Sequence, residues 1–576
     1  MARLRAFFNL TENGCSRIPD MSSTSNLSTD KNWWRQAAIY QIYPRSFADT
    51  DGNGIGDLKG VTSKVDYLKS LSIDAVWLSP FYPSALADGG YDVDDYRNVD
   101  PKLGTLADFD EMLTALHKEG IRVFVDIVPN HSSNLHQWFK DAIASKPSSA
   151  ERNRYIFRDG RGANGELPPT DWPSHFAPSA WSHESIWGGT GNQWFMHWFA
   201  PEQPDWNWDN PEVEADFLET LKFWADRGVD GFRIDVAHAL KKDLSEPLRM
   251  RSTMEYDEPR NIDGTGILMD RNEVFDVYRG WRKLFNSYDP PRVAVAEANV
   301  HPSRLPLYAS EETLGQCFDF RFIEANFDAA SFKKCVTESL ELAKKNKSST
   351  TWTLGNHDQM RYATKQGLHP VVDAQEWLLT DGTTHHLDFE IGIQCSVAAN
   401  VFILALPGCT YIYQGDELGL HEVVDIPEDQ IQDPQYLRNH KLLKGRDGCR
   451  VPLPWSSTEE NFGFGKGTPH LPQPKWFADY SVAAENGNSE SPLENFRKAL
   501  KLRRELQCAE EITWHKTTSE NVLHFSRPNG WNCIINFKGG KYPMPEGVIE
   551  KGQVLLSTQP LVDGKIPAAT TVWFKA

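Results

Sequence analysis

From Trp33 onward, short runs of β-branched and apolar residues alternate with longer stretches whose apolar positions recur at helical spacing. The runs are IYQIYPRSF (39–47), AVWLSP (75–80), RVFVDIVPN (122–130), GFRIDVA (231–237), RVAVAEA (292–298), TWTLGN (351–356) and TYIYQG (410–415). Between them, VTSKVDYLKSLS (61–72), LADFDEMLTALHKEG (106–120) and EADFLETLKFWADRG (214–228) predict amphipathic helices, and the latter two run into a Gly stop. Strands that alternate with helices in this way predict a parallel sheet covered by helices, here an α/β fold of the (β/α)8 TIM-barrel type.

Two stretches break the rhythm. Residues 132–205, rich in Trp, Pro, Gly and His, are too long for an ordinary βα loop and predict an inserted, loop-rich subdomain after strand 3. Residues 421–490 form a second irregular region. After the helical SPLENFRKALKLRREL (491–506), short alternating runs, NVLHFSR (521–527), NCIINF (532–537) and TTVWF (570–574), predict a C-terminal antiparallel β-sandwich. The resulting organisation is a leader over 1–31, a barrel over 32–131 and 206–495, the insert over 132–205 and the sandwich over 496–576.

Polar residues gather where the predicted barrel strands end: Asn130 and His131, Asp235, Glu297, and Asn356 to Asp358. Barrel active sites are built at that rim, so four strand ends of this kind point to an enzyme. Arg233 and Asp235 stand two apart and leave the strand on one face, where the guanidinium can hold Asp235 ionised as a nucleophile. Glu297 closes the apolar run VAVAE, whose surroundings would desolvate the carboxyl as a general acid requires. With Asp358, His131 and His357, these residues suit glycoside hydrolysis with retention, which uses two carboxyls about 5 to 5.5 Å apart and groups that grip the sugar hydroxyls.

Composition removes alternatives. The formal net charge of −19, without a basic stripe, opposes binding to nucleic acid or an anionic membrane. No apolar run is long enough to span a bilayer, and the apolar patch near the start is broken at Asn9 and Glu12. Eight cysteines without CxxC spacing point to reduced thiols and a cytoplasmic protein. Residues 19–31 read as a disordered leader, with Met21 as an alternative start. The partner is a small molecule, and monomer and homo-oligomer are equally open.

The strings DIVPNH, GFRIDVAH, VAEANV and LGNHD, in that order, resemble the four sequence regions of the α-amylase superfamily, glycoside hydrolase family 13. IYQIYPRSFADTDGNGIGDLKGV and QPDWNWDNP are similar to its α-glucosidase and oligo-1,6-glucosidase branch. The resemblance implies a retaining exo-acting α-glucosidase, with Asp235 as nucleophile, Glu297 as acid/base and Asp358 as transition-state stabiliser. It implies that Asp88, Tyr91, His131, Phe176, Arg233 and His357 line the subsite for the non-reducing glucose, closed by a salt bridge from Asp88 to Arg446 or Arg450. Where the branch has MQW this chain has VPLPW, and Ala237 resembles the α-1,4-acting members. An α-glucosyltransferase or sucrose isomerase would use the same covalent glucosyl intermediate, and nothing in the catalytic strings separates it from a hydrolase. An endo-acting amylase would not need the salt bridge, and a catalytically dead scaffold subunit would lack the carboxylates.

One further motif, DTDGNGIGD, sets Asp49, Asp51, Asn53 and Asp57 at alternating positions with the Ile55 carbonyl between the last two. It resembles the start of a calcium loop without the closing glutamate, and implies a structural Ca2+ or Mg2+; an Asx-rich turn is the plainer alternative.

Overall fold

The computed structural model describes residues 27–176, 178–251, 261–439 and 441–575. Most of the leader, with Met21 and Cys15, lies outside the described residues. Eight parallel strands are β1 (Ala38–Ile42), β2 (Ala75–Leu78), β3 (Arg122–Ile127), β4 (Gly231–Ile234), β5 (Val293–Ala296), β6 (Gly315–Cys317), β7 (Thr351–Thr353) and β8 (Cys409–Tyr413). They pair in the order β7-β8-β1-β2-β3-β4-β5-β6, and a parallel bridge from Asp319 to Trp352 joins the two ends into a barrel.

Period-two alternation divides the strands into an inner and an outer face. Ile39, Trp77, Phe124, Val293, Val295 and Tyr411 form a separate apolar cluster inside the barrel, while Tyr40, Val76, Val125, Phe232, Ala294 and Ile412 join the larger core shared with the helices. The barrel is therefore packed through rather than hollow. One register step above the inner apolar layer, Asp126 of β3 faces Arg233 of β4, and Asp235 follows where the strand ends.

Seven of the eight strands coincide with the apolar runs; β6 does not. Its three residues, Gly-Gln-Cys, carry no β-branched or aromatic signal, and their strand geometry comes from pairing with β5. The runs also end earlier than their hydrophobicity suggests. GFRIDVA is strand only to Ile234, so Asp235 to His238 form the turn at the rim.

The helices follow their caps. Leu106–Lys118 opens on a capping box between Thr105 and Asp108, and Pro211–Asp226 opens on Asn210 with Pro at its first position. Instead of one helix over 61–72 there are two, Leu58–Ser63 and Val65–Ser70, separated where Lys64 leaves helical geometry. Phe389–Ala405 is buried without a break from Cys395 to Ala405. It is apolar on all sides because the barrel covers one face and the C-terminal sheet the other, to which Thr571 Oγ1 donates a hydrogen bond at the Ala398 carbonyl (2.7 Å).

Between β3 and β4 the chain makes a helix, Gln137–Ala144, and a three-stranded antiparallel sheet of Phe157–Asp159, Gln193–Met196 and Trp181–His183. Trp172, Trp181, Met196 and Trp198 pack there with Leu268 from the loop after β4. At the C-terminus, five antiparallel strands are faced by a two-stranded ribbon, Tyr542–Pro543 with Lys565–Ile566. Among the described residues no helix is long and apolar enough to cross a membrane, and Cys317, Cys335, Cys395, Cys409, Cys449, Cys508 and Cys533 are free.

Candidate active site

A cavity of about 400 Å³ opens at the C-terminal rim, lined on its inner side by Asp88, Tyr91, His131, Phe176, Asp235, Glu297, Asp358 and Arg446. Residues from four strand ends, the insert and the 421–455 region thus meet around one space.

Arg233, buried at 1% exposure, is the hub. Its Nη1 lies 3.0 Å from Asp126 and 2.5 Å from Asp235, and its Nη2 lies 2.8 Å from Glu297. One guanidinium therefore serves three carboxylates. Burial pushes the Asp235 carboxyl up, Arg233 pulls it back, and Glu297 and Asp126 push it further, leaving it well above the usual range. Burial likewise lifts Asp126 to about 7 against the pull of Arg233. Asp126 and Asp235, which share Arg233, are both pushed up, and their titration belongs to the pair rather than to either carboxyl.

This differs from the sequence expectation in two ways. Arg233 is shared, so it does not hold Asp235 ionised by itself. Glu297 does not sit in apolar surroundings: its Oε2 accepts from Arg233 and from the Val236 amide (3.0 Å), and about a quarter of the side chain is exposed. In the apolar run VAVAE the valines point into the barrel and the alanines into the helix layer, and only the last residue emerges at the rim. Val236, a β-branched residue, sits in the left-handed region at φ +43°, and that strained turn aims its N–H at Glu297.

The shared cluster gives a pH prediction. With Asp235 as the nucleophile expected from the sequence, activity would fall as pH drops through its raised value. Asp126→Asn removes a neighbouring anion and frees Arg233, which lowers the Asp235 value. The acid limb of the kcat/KM profile shifts to lower pH; a limb that stays or moves upward would contradict the shared-cation account.

Asp358 is held on the opposite side. Burial would raise its carboxyl, but His357, Arg446, Arg450 and Arg233 hold it far below the usual carboxylate range. Arg446 Nη1 lies 3.0 Å and Arg450 Nη2 2.7 Å from Asp358. Arg446 also reaches Asp88 (2.6 Å) and Asp433 (2.7 Å), while its guanidinium lies over the Phe176 ring, 5.6 Å from the centroid. Of the two candidate arginines, Arg446 thus spans to Asp88 and Arg450 goes to Asp358 and the His357 carbonyl (2.8 Å).

Two buried histidines complete the inner wall. The Gln41 amide donates to His357 Nδ1 (2.7 Å), which leaves Nε2 to carry the ring proton beside the Tyr91 hydroxyl (2.5 Å) and Asp358 (3.3 Å). Burial keeps this ring neutral, its value pushed well down. Tyr91 stacks on it with centroids 5.2 Å apart. His131, also pushed down by burial, touches the Gln203 amide (3.0 Å), which in turn donates to Asp88 (3.1 Å).

Sequence reading missed several of these. Asp433 was unmarked because it also caps the helix Pro434–Arg438, the ordinary use of an Asp before Pro. His175, His238, Asn299, Gln359 and Gln435 line the outer cavity; the first four lie on irregular segments where no periodicity fixes a direction, and Gln435 lies in the five-residue helix Pro434–Arg438, too short to show a period.

Away from the rim, Asp49, Asp51 and Asp57 bring carboxylate oxygens within 4.8 Å of one another. Each also accepts backbone amides: Gly52 and Gly54 on Asp49, Asn53 on Asp51, and Thr50 and Gly60 on Asp57. The Asn53 side chain accepts from Ile55 N–H (2.7 Å). Hard oxygen donors converging in this way fit Ca2+ or Mg2+, and the same amide bonds make it an Asx-rich turn.

The family model for the α-amylase catalytic domain matches residues 41–511. The chain is 34% identical over 533 residues to a probable alpha-glucosidase of Rhizobium meliloti, covering 89% of this chain and 91% of that protein. It is 31% identical over 572 residues to an oligo-1,6-glucosidase of Parageobacillus thermoglucosidasius, covering 93% and 96%. Among solved structures, the trehalulose synthase MutB of Pseudomonas mesoacidophila superposes with a TM-score of 0.78 at 27% identity, over 94% of this chain and 99% of that one. An alpha-glucosyl transfer enzyme, XgtA, superposes at 0.77 with 29% identity, over 94% and 99%.

Proposed function

The chain belongs to the α-amylase family and is a glycoside hydrolase, and from that premise we propose that it removes single glucose units from the non-reducing ends of small α-glucosides, with retention of configuration. The observation that carries this reading is the end wall. Arg446 ties Asp88 to Asp358 on the wall of the cavity that Asp235 also lines, and this linked wall supports a closed end that takes a single terminal sugar. A polymer threaded through would collide with that wall, whereas a chain end fits against it.

In the first half-reaction the Asp235 carboxylate attacks the anomeric carbon while Glu297 gives its proton to the glycosidic oxygen. The C–O bond breaks, the leaving sugar departs as an alcohol and glucose stays as an ester on Asp235. In the second, Glu297 takes a proton from water, whose oxygen attacks the same carbon and releases α-glucose. Asp358, kept ionised by its two arginines, favours the positive charge that develops on the ring. Arg233 holds Asp235 and Glu297 from its two terminal nitrogens, a span suited to a carboxyl pair about 5 to 5.5 Å apart. The resemblance of Ala237 to the α-1,4-acting members of the family supports maltose-type α-1,4 linkages, with sucrose and short oligosaccharides as further substrates.

The names of the structural neighbours favour a second reading, transfer of the glucosyl group to a sugar instead of water. Proton NMR of the first product separates the two. α-Glucose formed before mutarotation supports the hydrolase, a new disaccharide without free glucose supports the transferase, and β-glucose excludes both.

We further place a structural Ca2+ or Mg2+ in the Asp49–Asp57 turn, with Asp49, Asp51, Asn53, Asp57 and the Ile55 carbonyl as its oxygen donors, and the protein in the cytoplasm. The ion would pin the turn that caps helix Leu58–Ser63. Chelation is expected to lower the melting temperature by about 2 to 5 °C, with recovery on adding Ca2+ and little change in kcat at room temperature. A melting curve indifferent to chelator and Ca2+ would leave the plain Asx turn.

A further inference from the structure

Gln41 is a buried amide that neither half-reaction uses. It stands on the inner face of β1, two residues after Ile39 and one layer above the apolar filling of the barrel, and is 1% exposed. Its Nε2 reaches two groups, Ser79 Oγ (3.0 Å) and His357 Nδ1 (2.7 Å). The buried His357 ring is clamped at that contact. Tyr91 and Tyr43 stack on it with centroids 5.2 and 5.8 Å away, and Trp77 meets its edge. With the ring held, only the proton is free to choose a nitrogen.

The groups around Nε2 decide that choice. The Tyr91 hydroxyl gives its hydrogen to Asp126 Oδ2 (3.1 Å), so at Nε2 (2.5 Å) its oxygen accepts. Asp358 Oδ2, 3.3 Å from the same nitrogen, is also an acceptor. A hydrogen on Nε2 satisfies both, whereas a hydrogen on Nδ1 would face the Gln41 N–H. The bonds therefore run in one direction, from Gln41 to His357 to Tyr91 to Asp126, the carboxylate that shares Arg233 with Asp235.

What Asp358 can do depends on where that proton sits. Both arginines bind one of its oxygens, Arg446 Nη1 and Arg450 Nη2 to Oδ1 (3.0 and 2.7 Å), so Oδ2 is the oxygen beside His357. Next to a neutral ring, Oδ2 keeps its charge for the sugar. An imidazolium, with a second hydrogen on Nδ1, would pair with Oδ2 and offset that charge. Burial, Arg450, Arg233 and Arg446 oppose the imidazolium, and Asp358 favours it.

Resting on the α-glucosidase reading above, we propose that Gln41 is a positioning residue. By donating to Nδ1 it confines the single ring proton of His357 to Nε2, and so keeps Asp358 Oδ2 free for the positive charge that develops on glucose.

Two substitutions separate this role from packing. Gln41→Glu keeps the shape but turns the donor into an acceptor, and with carboxylates on both sides the ring becomes an imidazolium. Gln41→Leu removes the donor and supplies no acceptor, so the ring stays neutral. On maltose, kcat/KM is expected to fall about 100-fold in Gln41→Glu, mostly through kcat, and about tenfold or less in Gln41→Leu. Packing alone gives the opposite order, because Glu has the shape of Gln and Leu does not. Gln41→Glu as active as Gln41→Leu, or more so, would therefore overturn the proposal. Neutron diffraction from the wild-type protein near pH 7 reads the protons without any variant: deuterium is expected on His357 Nε2 alone, and deuterium on Nδ1 would overturn the proposal as well. The levels stay apart. Wild-type enzyme that releases no glucose from maltose sinks the glucosidase reading, whereas normal hydrolysis with a deuterium on Nδ1 sinks this inference alone.

Discussion

Asp235→Asn is expected to lower kcat/KM on maltose by about 10⁴-fold or more while the protein keeps its melting temperature within a few degrees. The amide has nearly the shape of the carboxylate, so the fold has little to lose; the covalent step loses its nucleophile, and such losses typically reach this size. The electrostatics support the second half of the claim. Asp235 is one of three carboxylates on a single guanidinium, with its own carboxyl pushed up by burial, Glu297 and Asp126. Replacing it with a neutral group therefore relieves repulsion within the cluster. Activity within about tenfold of wild type would remove Asp235 from the role of nucleophile; a collapsed melting temperature would make it a structural residue.

Arg446→Ala is the change with the largest expected cost to both stability and activity. Its guanidinium contacts Asp88, Asp358 and Asp433, and its side chain is 11% exposed. Removing it leaves buried carboxylates short of a partner, and breaking buried pairs costs about 3 to 5 kcal/mol. Arg450 still reaches Asp358, which keeps that carboxylate charged but does not rebuild the wall toward Asp88. A fall in melting temperature is thus expected together with a loss of about 100-fold in kcat/KM on maltose. Arg446→Lys should fall between, since an ammonium keeps the charge but cannot reach three carboxylates with a planar fork. If Arg446→Ala melted like wild type and kept its maltose activity, the wall would not define the sugar site.

The fold and the polar residues gathered at its rim were legible in the sequence for a common reason. A strand buried on both faces advertises itself as an apolar run, and a polar residue that ends such a run can only sit at a rim. Asp235, Glu297 and Asp358 were found in that way, and the order of their strings added the family. The short β6 was not legible, because three residues without β-branched side chains carry too little signal.

The electrostatic reading was partly misleading for a different reason. Arg233 stands next to Asp235 in sequence, so the pair looked private. Asp126 and Glu297 approach from neighbouring strands, and only the barrel shows that one cation serves three anions. Glu297 looked apolar from VAVAE, yet those neighbours point into the barrel and the helix layer. Asp433 and His238 sit on turns, where no period of 2 or 3.6 tells which way a side chain points.

The central claim is that this cavity takes one terminal glucose at a time and passes it to water. A time course of products from a linear maltopentaose, with Asp235→Asn as control, tests it most directly. The account predicts glucose and maltotetraose as the first products, in equal amounts and absent in the mutant. Early maltose and maltotriose would mean that the chain is cut internally, past the wall built by Asp88 and Arg446, and would contradict it.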